Sequence, residues 1–424
     1  MMRIYRKDEL GQETVLSREQ EKTHVEQAVT EILDRVRAEG DRAVLDYTER
    51  FDGVRPEPLE VSAAEKEEAL SLVEPEFLDI LREAAANIRH FHSQQKRSGF
   101  ILNDRPGIVM GQKVTPLERA GIYVPGGTAA YPSTVLMDTI PAKIAGVGEI
   151  VMVTPPGKNG KIAPVILAAA GIAGADRIFK CGGAQAVGAL AYGTESIPRV
   201  DKIVGPGNAF VAEAKRQVFG QVAIDMIAGP SEILIVADGK TNPRWAAADL
   251  LSQAEHDKMA SAVLITDSPE LAKAVQQEVE RQLAVLPREA IARVSVDSRG
   301  KIILTESIEE AIALSNSLAP EHLELCLDNP FDVLDQVKHA GSVFLGRSCP
   351  EALGDYFAGP NHTLPTGGTA RFSSPLSVDD FVKKTQYSYF TPQALARDAD
   401  KIACFAEREG LSGHARSALS RKES

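Results

Sequence analysis

The chain has no surplus of positive charge. Its 47 Lys and Arg are outnumbered by 59 Asp and Glu, for a net charge of −12 and a pI near 5.3. That balance argues against nucleic-acid binding, which normally shows itself as a basic patch. A negative field also mildly repels anionic cofactors, so a site for one must supply local backbone donors. Cysteine is scarce: Cys181, Cys326, Cys349 and Cys404 show neither CxxC spacing nor a disulfide framework, which points to a reducing compartment. No apolar signal core opens the chain at MMRIYRKDEL. The longest nearly apolar run, Ile162 to Ala175, is too short for a membrane span and carries Pro164. A cytoplasmic protein without nucleic-acid or membrane partners is the expectation. Internal repeats and low-complexity segments are also missing. What is present is an ordinary globular composition, 44% hydrophobic and 25% charged. The 424 residues allow two or three domains at roughly 150 residues each.

After a polar arm, Ser17 and Gln20 form an S-x-x-Q capping signal. Val25, Val29, Ile32, Leu33 and Val36 follow at helical spacing, and Gly40 ends the segment. Ser62 and Glu65 stand in capping-box positions, and helical character returns from Glu76 to about Lys96, so the region up to Gly121 reads as helix-rich. Short apolar runs then alternate with helical stretches. One series is Ile150–Thr154, Ile162–Gly171, Arg177–Lys180, Ala184–Tyr192, Lys202–Val204 and Asn208–Val218. A second is Glu232–Ala237, Trp245–His256, Ala262–Thr266, Pro269–Val285, Lys301–Leu304, Ile308–Leu318, Leu323–Leu327 and Ser342–Leu345. Both rhythms predict βαβ units and a parallel sheet. Pro360 to Pro375 reads as a turn-rich boundary before a mostly helical tail broken at Gly410 and Gly413.

The dinucleotide fingerprint G-x-G-x-x-G is only approached, at Gly205-Pro206-Gly207-Asn208-Ala209-Phe210, where Phe210 replaces the third glycine. Two other glycine turns are candidates: Gly121 to Gly127, containing Tyr123, and Gly182-Gly183-Ala184-Gln185. All three fall at the expected carboxyl ends of strands in one α/β unit, where open parallel sheets bind ligands. A plain strand-closing turn is the alternative.

Of the eight histidines, His24, His90, His92 and His339 lie among charged helical residues and read as solvated or capping groups. Gln253 and His256, at i and i+3 on a predicted helix, point to one side and suit two ligands on one metal; a helix-end histidine is the alternative. Asp355 stands near Asn361 and His362, and His414 follows a break in the tail; an Asx turn and a helix cap are their simpler readings. Glu321 and His322 are adjacent after Pro320. In a regular strand they would face opposite ways, so acid–base work by both requires the irregular turn before the strand. Charged residues capping a strand are the other reading.

The stretch Ile224-Asp-Met-Ile-Ala-Gly-Pro-Ser231-Glu-Ile-Leu-Ile-Val-Ala-Asp, continuing from Trp245 through Gln253-Ala-Glu-His256, resembles the signature of histidinol dehydrogenases. GIYVPGG, GGAQAVGALAYGTE, VGPGNAFV, APEHLEL, GPNHTLPTGG and GLSGHARS stand in that family's order, and the resemblance covers essentially the whole chain. It implies an α/β fold with two Rossmann-like domains of mainly parallel sheets, small N-terminal and helical C-terminal domains, and an interlocked homodimer. The implied domains are an arm at 1–18, a main α/β domain at 19–122 and 233–375, an inserted NAD-binding domain at 123–232 and a dimerisation tail at 376–424. The implied activity is oxidation of L-histidinol to L-histidine through the aldehyde, with two NAD⁺ and one zinc per subunit. Gln253, His256, Asp355 and His414 are the implied zinc ligands, His414 coming from the partner. Ser231, His322 and Glu409 are the implied substrate contacts, together with the metal ligands, and His362 is a further candidate. Tyr123, Gln185 and Asn208 are the implied NAD contacts. His322 then serves as general base in both oxidations and Glu321 activates water between them. A cysteine hemithioacetal is the chemical alternative, with Cys326 nearest, but a thiol inside an apolar strand reads as structural. A zinc hydrolase using Glu321 and a non-catalytic metal-stapled dimer are the competing readings.

Overall fold

The computed structural model describes residues 1–11, 15–16, 25–126 and 130–422. The Ser17–Gln20 cap, His24 and the end of the Gly121–Gly127 turn therefore lie outside the described residues. Fourteen strands occur among them: β1 (Arg3–Arg6), β2 (Phe100–Leu102), β3 (Ile108–Pro116), β4 (Arg119–Tyr123), β5 (Glu149–Thr154), β6 (Arg177–Lys180), β7 (Lys202–Val204), β8 (Ala223–Ile224), β9 (Glu232–Ala237), β10 (Ser261–Thr266), β11 (Lys301–Leu304), β12 (His322–Cys326), β13 (Ser342–Leu345) and β14 (Val382–Phe390). No described helix is long and apolar enough to cross a membrane.

The chain divides into two compact units, Met1–Gln95 with Glu118–Phe381, and Lys96–Leu117 with Val382–Ser424. The first unit holds two parallel sheets. The five-stranded sheet runs β6-β5-β4-β7-β8, and the six-stranded sheet β1-β11-β10-β9-β12-β13. Taken from their own first strands, β4 and β9, both follow the order third, second, first, fourth, fifth. The arrangement is the doubly wound one, with the chain reversing direction between the first and fourth strands. Strands β9 and β10 are buried at every residue, as expected of sheets covered on both faces by helices. Each sheet has its own core. One gathers Val151, Val153, Phe179, Val187 and Leu190, and the other Ile233, Ile235, Leu250, Leu264 and Val275.

Local chemistry accounts for the helix starts. Ser62 accepts from the Glu65 N–H at 3.2 Å while its own N–H donates to the Glu65 carboxylate at 2.9 Å, a reciprocal cap. The Gly40 boundary is real, but a further helix, Asp41–Asp52, begins directly after it.

Three expectations need correction. The polar arm contains β1, an edge strand paired with β11, because edge pairing satisfies its backbone while Ile4 and Tyr5 are half-buried. The stretch before Gly121 is not all helix, since β2 and β3 lie within it. The tail begins not as helix but as β14, which pairs antiparallel with β3 along its whole length, Val382 opposite Pro116 and Phe390 opposite Ile108. Thr385, Tyr387, Tyr389 and Phe390 favour the extended pleat. Helices Pro392–Arg408 and Ser412–Leu419 follow, packed through Ala403, Ala406, Ala415 and Leu419. Gly410 separates them at φ +76°, while Gly413 lies inside the second.

Candidate active site

Two groups of candidate residues occupy opposite kinds of sheet edge. The first surrounds the amino ends of β9 and β12. His322 is the first residue of β12, and Glu321 directly precedes it. The backbone of Glu232, which opens β9, holds both: its N–H donates to Glu321 Oε2 at 2.8 Å and its carbonyl accepts from His322 Nδ1 at 3.0 Å. A carbonyl can only accept, so Nδ1 carries a proton, and Nε2 is the nitrogen that bears the lone pair whenever the ring is neutral. That Nε2 is buried without a hydrogen-bond partner, 3.6 Å from Asp355 Oδ1. Glu321 Oε2 lies 3.6 Å from His322 Nδ1, so the two side chains converge despite being neighbours in sequence.

Helix Pro243–Ala254 returns from β9 and ends beside this pair. Gln253, in its last turn, is buried with both amide atoms unpartnered. The helix stops before His256, whose N–H closes on the Gln253 carbonyl at 3.1 Å. His256 is exposed, within electrostatic range of Asp355 and His322. Helix Glu351–Tyr356 adds Glu351 and Asp355, one turn apart on one face. His322, Glu351 and Asp355 each place a ligand atom within 4.8 Å of the others. Glu324 Oε1 accepts from the Glu351 N–H at 2.7 Å and Ser252 Oγ donates to Glu351 Oε2 at 2.8 Å, so strand and helix both brace this turn. His362 donates from Nδ1 to the Asp355 carbonyl at 3.0 Å. Ser231, half-buried, directly precedes β9.

Charge is concentrated here. Burial pushes Glu321 up to about 8, and burial followed by Asp355 raises Glu351 to about 7. Burial alone would pull His322 down, but Glu321 and Asp355 overcome it and raise the imidazole to about 10. Burial opposes ionisation of Asp355, yet His322 and His362 hold it well below the usual carboxylate range. Burial also raises the Cys326 thiol, consistent with a structural role.

The second group lies at the carboxyl edge of the five-stranded sheet. Tyr123 ends β4; its hydroxyl accepts from the Gly183 N–H at 3.0 Å, and burial pushes it up to about 12. Gln185 is buried in the first turn of helix Gly183–Tyr192 with its Oε1 unpartnered. Asn208 caps helix Ala209–Val218, accepting from the N–H groups of Phe210 and Val211 at 3.0 and 3.2 Å. Gly205 adopts φ +118°, and a Cβ there would sit 2.1 Å from the Tyr123 carbonyl oxygen, so only glycine fits. Its N–H donates to Asp225 at 2.8 Å and its carbonyl accepts from Lys215 at 2.9 Å; Lys215 and Asp225 are themselves a buried ion pair. These turns flank the point between β4 and β7 where strand order reverses.

Glu409 and His414 belong to the second unit. Both are exposed, Glu409 just after helix Pro392–Arg408 and His414 in the first turn of helix Ser412–Leu419.

Residues 16–422 match the family model described as histidinol dehydrogenase. The chain belongs to the histidinol dehydrogenase family. A histidinol dehydrogenase of Syntrophotalea carbinolica is 58% identical over 395 residues, covering 93% of this chain and 91% of its own. One from Listeria monocytogenes is 55% identical over 392 residues, 92% of each chain. The crystal structure of histidinol dehydrogenase from Elizabethkingia anophelis gives a TM-score of 0.94 at 40% identity, covering 100% of this chain and 98% of that one. Histidinol dehydrogenases are NAD-dependent oxidoreductases of histidine biosynthesis, so the chain is an enzyme with a small-molecule substrate. The family implies NAD and a metal. One residue of this histidinol dehydrogenase cluster, Glu351, escaped the sequence reading. Its signal was the i, i+4 spacing with Asp355 in Glu-Ala-Leu-Gly-Asp.

Proposed function

We propose that the amino-edge cluster oxidises L-histidinol to L-histidine through the aldehyde, using two NAD⁺ bound in turn at the glycine turns of residues 123–232. The observation that carries this reading is a buried His322 whose Nε2 is unpartnered while its Nδ1 side faces the Glu321 carboxylate, beside unpartnered Gln253. The donor set of Gln253, His256 and Asp355, with His414 of the partner subunit, mixes nitrogen and oxygen as zinc accepts. Buried amide atoms without partners and crowded carboxylates fit a cation there. When bound, zinc supplies a template for the substrate's imidazole and amine, and its charge brings the His322 imidazole back down towards a usable base.

His322 Nε2 takes the hydroxyl proton as hydride leaves the carbinol carbon. Fixing Nδ1–H on the Glu232 carbonyl keeps Nε2 the basic atom. Glu321, with one oxygen held by the Glu232 N–H, uses the other to take a proton from water as it adds to the aldehyde. His322 returns its proton to the aldehyde oxygen as that water adds, and so is free to accept the hydrate's proton during the second hydride transfer. Ser231, His362 and Glu409 complete the substrate contacts. Retention of the aldehyde makes the second oxidation effectively unimolecular. Tyr123, Gln185 and Asn208 contact NAD beside two helix N-termini, which suit its pyrophosphate. Purified protein given histidinol and NAD⁺ should yield two NADH per histidine, and chelation should abolish turnover until zinc is restored. Unchanged turnover in metal-free protein would refute the template role.

Glu409 and His414 act across a homodimer in this reading. Exposed Ile402, Phe405 and Leu411 on the tail support such an interface. Inactive His256→Ala and His414→Ala chains, refolded together, should recover roughly a quarter of wild-type activity, because half the dimers mix and each mixed dimer holds one intact site. No recovery from demonstrated mixed dimers would reject the shared site.

A further inference from the structure

Helix Pro132–Ala145 follows the β4 turn and is buried from Thr134 through Ala142. It contains Pro141. A proline has no N–H, so the carbonyl four residues earlier, that of Met137, loses its intrahelical donor. A buried carbonyl left unpaired is costly, and this one is not left unpaired. The Nδ2 of Asn361 donates to it at 2.6 Å. Asn361 comes from the loop after helix Glu351–Tyr356 and is itself only 4% exposed.

The same loop is anchored once more on the same helical face and braced once within itself. Thr363 Oγ1 donates to the Asp138 carboxyl at 2.6 Å, and the Thr363 N–H donates to Asn361 Oδ1 at 2.8 Å. Between these anchors, His362 Nε2 lies 3.4 Å from Thr134 Oγ1, a long contact, while Nδ1 is held by the Asp355 carbonyl. Thr134, Met137 and Asp138 fall at i, i+3 and i+4, so residues 361–363 lie along one stripe of the helix. The ring of His362 has one firm bond of its own, and its backbone is fixed by its two neighbours.

We infer that Asn361 is a positioning residue for His362, docked on a helix carbonyl that Pro141 leaves free. The latch joins the helix that follows the Tyr123 turn to the loop that carries His362 beside Asp355. It rests on the reading that His362 faces the substrate.

The test uses the full-length, metal-loaded enzyme, with histidinol affinity measured by calorimetry as well as steady-state constants. Asn361→Ala should weaken histidinol binding about tenfold, the usual loss when a residue supporting a site group is removed. The KM for NAD⁺ should not move, and the melting temperature should fall because the Met137 carbonyl is orphaned. Adding Pro141→Ala restores a helical N–H for that carbonyl. The double variant should therefore regain thermal stability but not histidinol affinity. In a His362→Ala background, Asn361→Ala should cost no further affinity, since both changes remove one function. Recovery of affinity together with stability in the double variant, or additive losses with His362→Ala, would overturn the latch and leave the proposed activity standing. A His362→Ala enzyme with normal histidinol affinity would overturn the role of His362, and the inference with it.

Discussion

The two parallel sheets share one strand order and differ in the edge at which their candidate site residues gather. In the five-stranded sheet the reversal point between β4 and β7 is framed by glycine turns and the N-termini of helices Gly183–Tyr192 and Ala209–Val218. In the six-stranded sheet the equivalent point, between β9 and β12, is filled. Thr241 Oγ1 donates to the Cys326 carbonyl at 2.8 Å, Arg347 donates to Thr241 at 3.2 Å and to Asp238 at 2.5 Å, and Arg347 and Lys240 both pair with Asp328. Its candidate cluster sits at the other end, by Glu232 and His322. Helices that leave a strand's carboxyl end return to its amino end, so the amino edge collects helix C-termini, such as that bearing Gln253. The partial charge there is negative, whereas the helix N-termini at the carboxyl edge are partially positive. One topology thus offers a cation-favouring edge and an anion-favouring edge, and in the six-stranded sheet the crevice at the carboxyl edge is filled.

The sharpest way to break this contrast is His322→Asn at the amino edge. It should cut both half-reactions by about 10²- to 10⁴-fold, the range for a lost general base, without changing NAD⁺ affinity. Glu321→Gln should slow oxidation of added histidinal more than the first hydride transfer from histidinol. Equal slowing in single-turnover measurements would end the proposed division of labour.

Helix Pro132–Ala145 gives a pH test. Burial raises Asp138 up to about 8. Because its folded pKa exceeds the unfolded value, its contribution is whole below the unfolded pKa and is lost as pH climbs through the folded one. Asp138→Asn keeps the acceptor for Thr363 and removes the titration. Between roughly pH 4 and 8 the wild type should lose stability relative to this variant with a slope on the order of 1 kcal/mol per pH unit, read from denaturant midpoints. Parallel curves would show that Asp138 does not hold its proton.

Arg347→Met unplugs the carboxyl edge of the six-stranded sheet. It should lower stability by about 1–3 kcal/mol while leaving kcat and both KM values unchanged, since that edge is structural. A fall in kcat at unchanged stability would reverse the assignment. Smallest in effect, Asn208→Ala should raise the NAD⁺ KM about 3- to 10-fold and cost about 1 kcal/mol as a lost helix cap, with histidinol affinity intact.

The alternation of apolar runs made most of both sheets readable in advance. Arg177–Lys180, Lys202–Val204, Glu232–Ala237, Lys301–Leu304 and Ser342–Leu345 are strands with those bounds. The antiparallel sheet was not readable. In β14 eight of nine residues are exposed, so no buried face imposes a pattern, and Gly111 interrupts the apolar pattern of β3. Strand β1 is short and half polar, and its partner lies far along the chain, at Lys301–Leu304. At the site, adjacency made Glu321 and His322 visible, but their convergence depends on Glu232, whose contribution is backbone and carries no signature. Helical spacing linked Gln253 with His256, yet the helix ends between them.

The clamp inside the Gly205 turn bears on traffic. The proposed reaction draws two cofactor molecules in succession through one crevice while the aldehyde stays in place. Lys215 and Asp225 hold that turn from within, using no group of the visitor. Arrival then requires no folding of the turn and departure no unfolding, so binding free energy is not diverted into ordering it. In the proposed reaction the crevice would act as a turnstile, in which spent and fresh cofactor exchange without the turn having to refold.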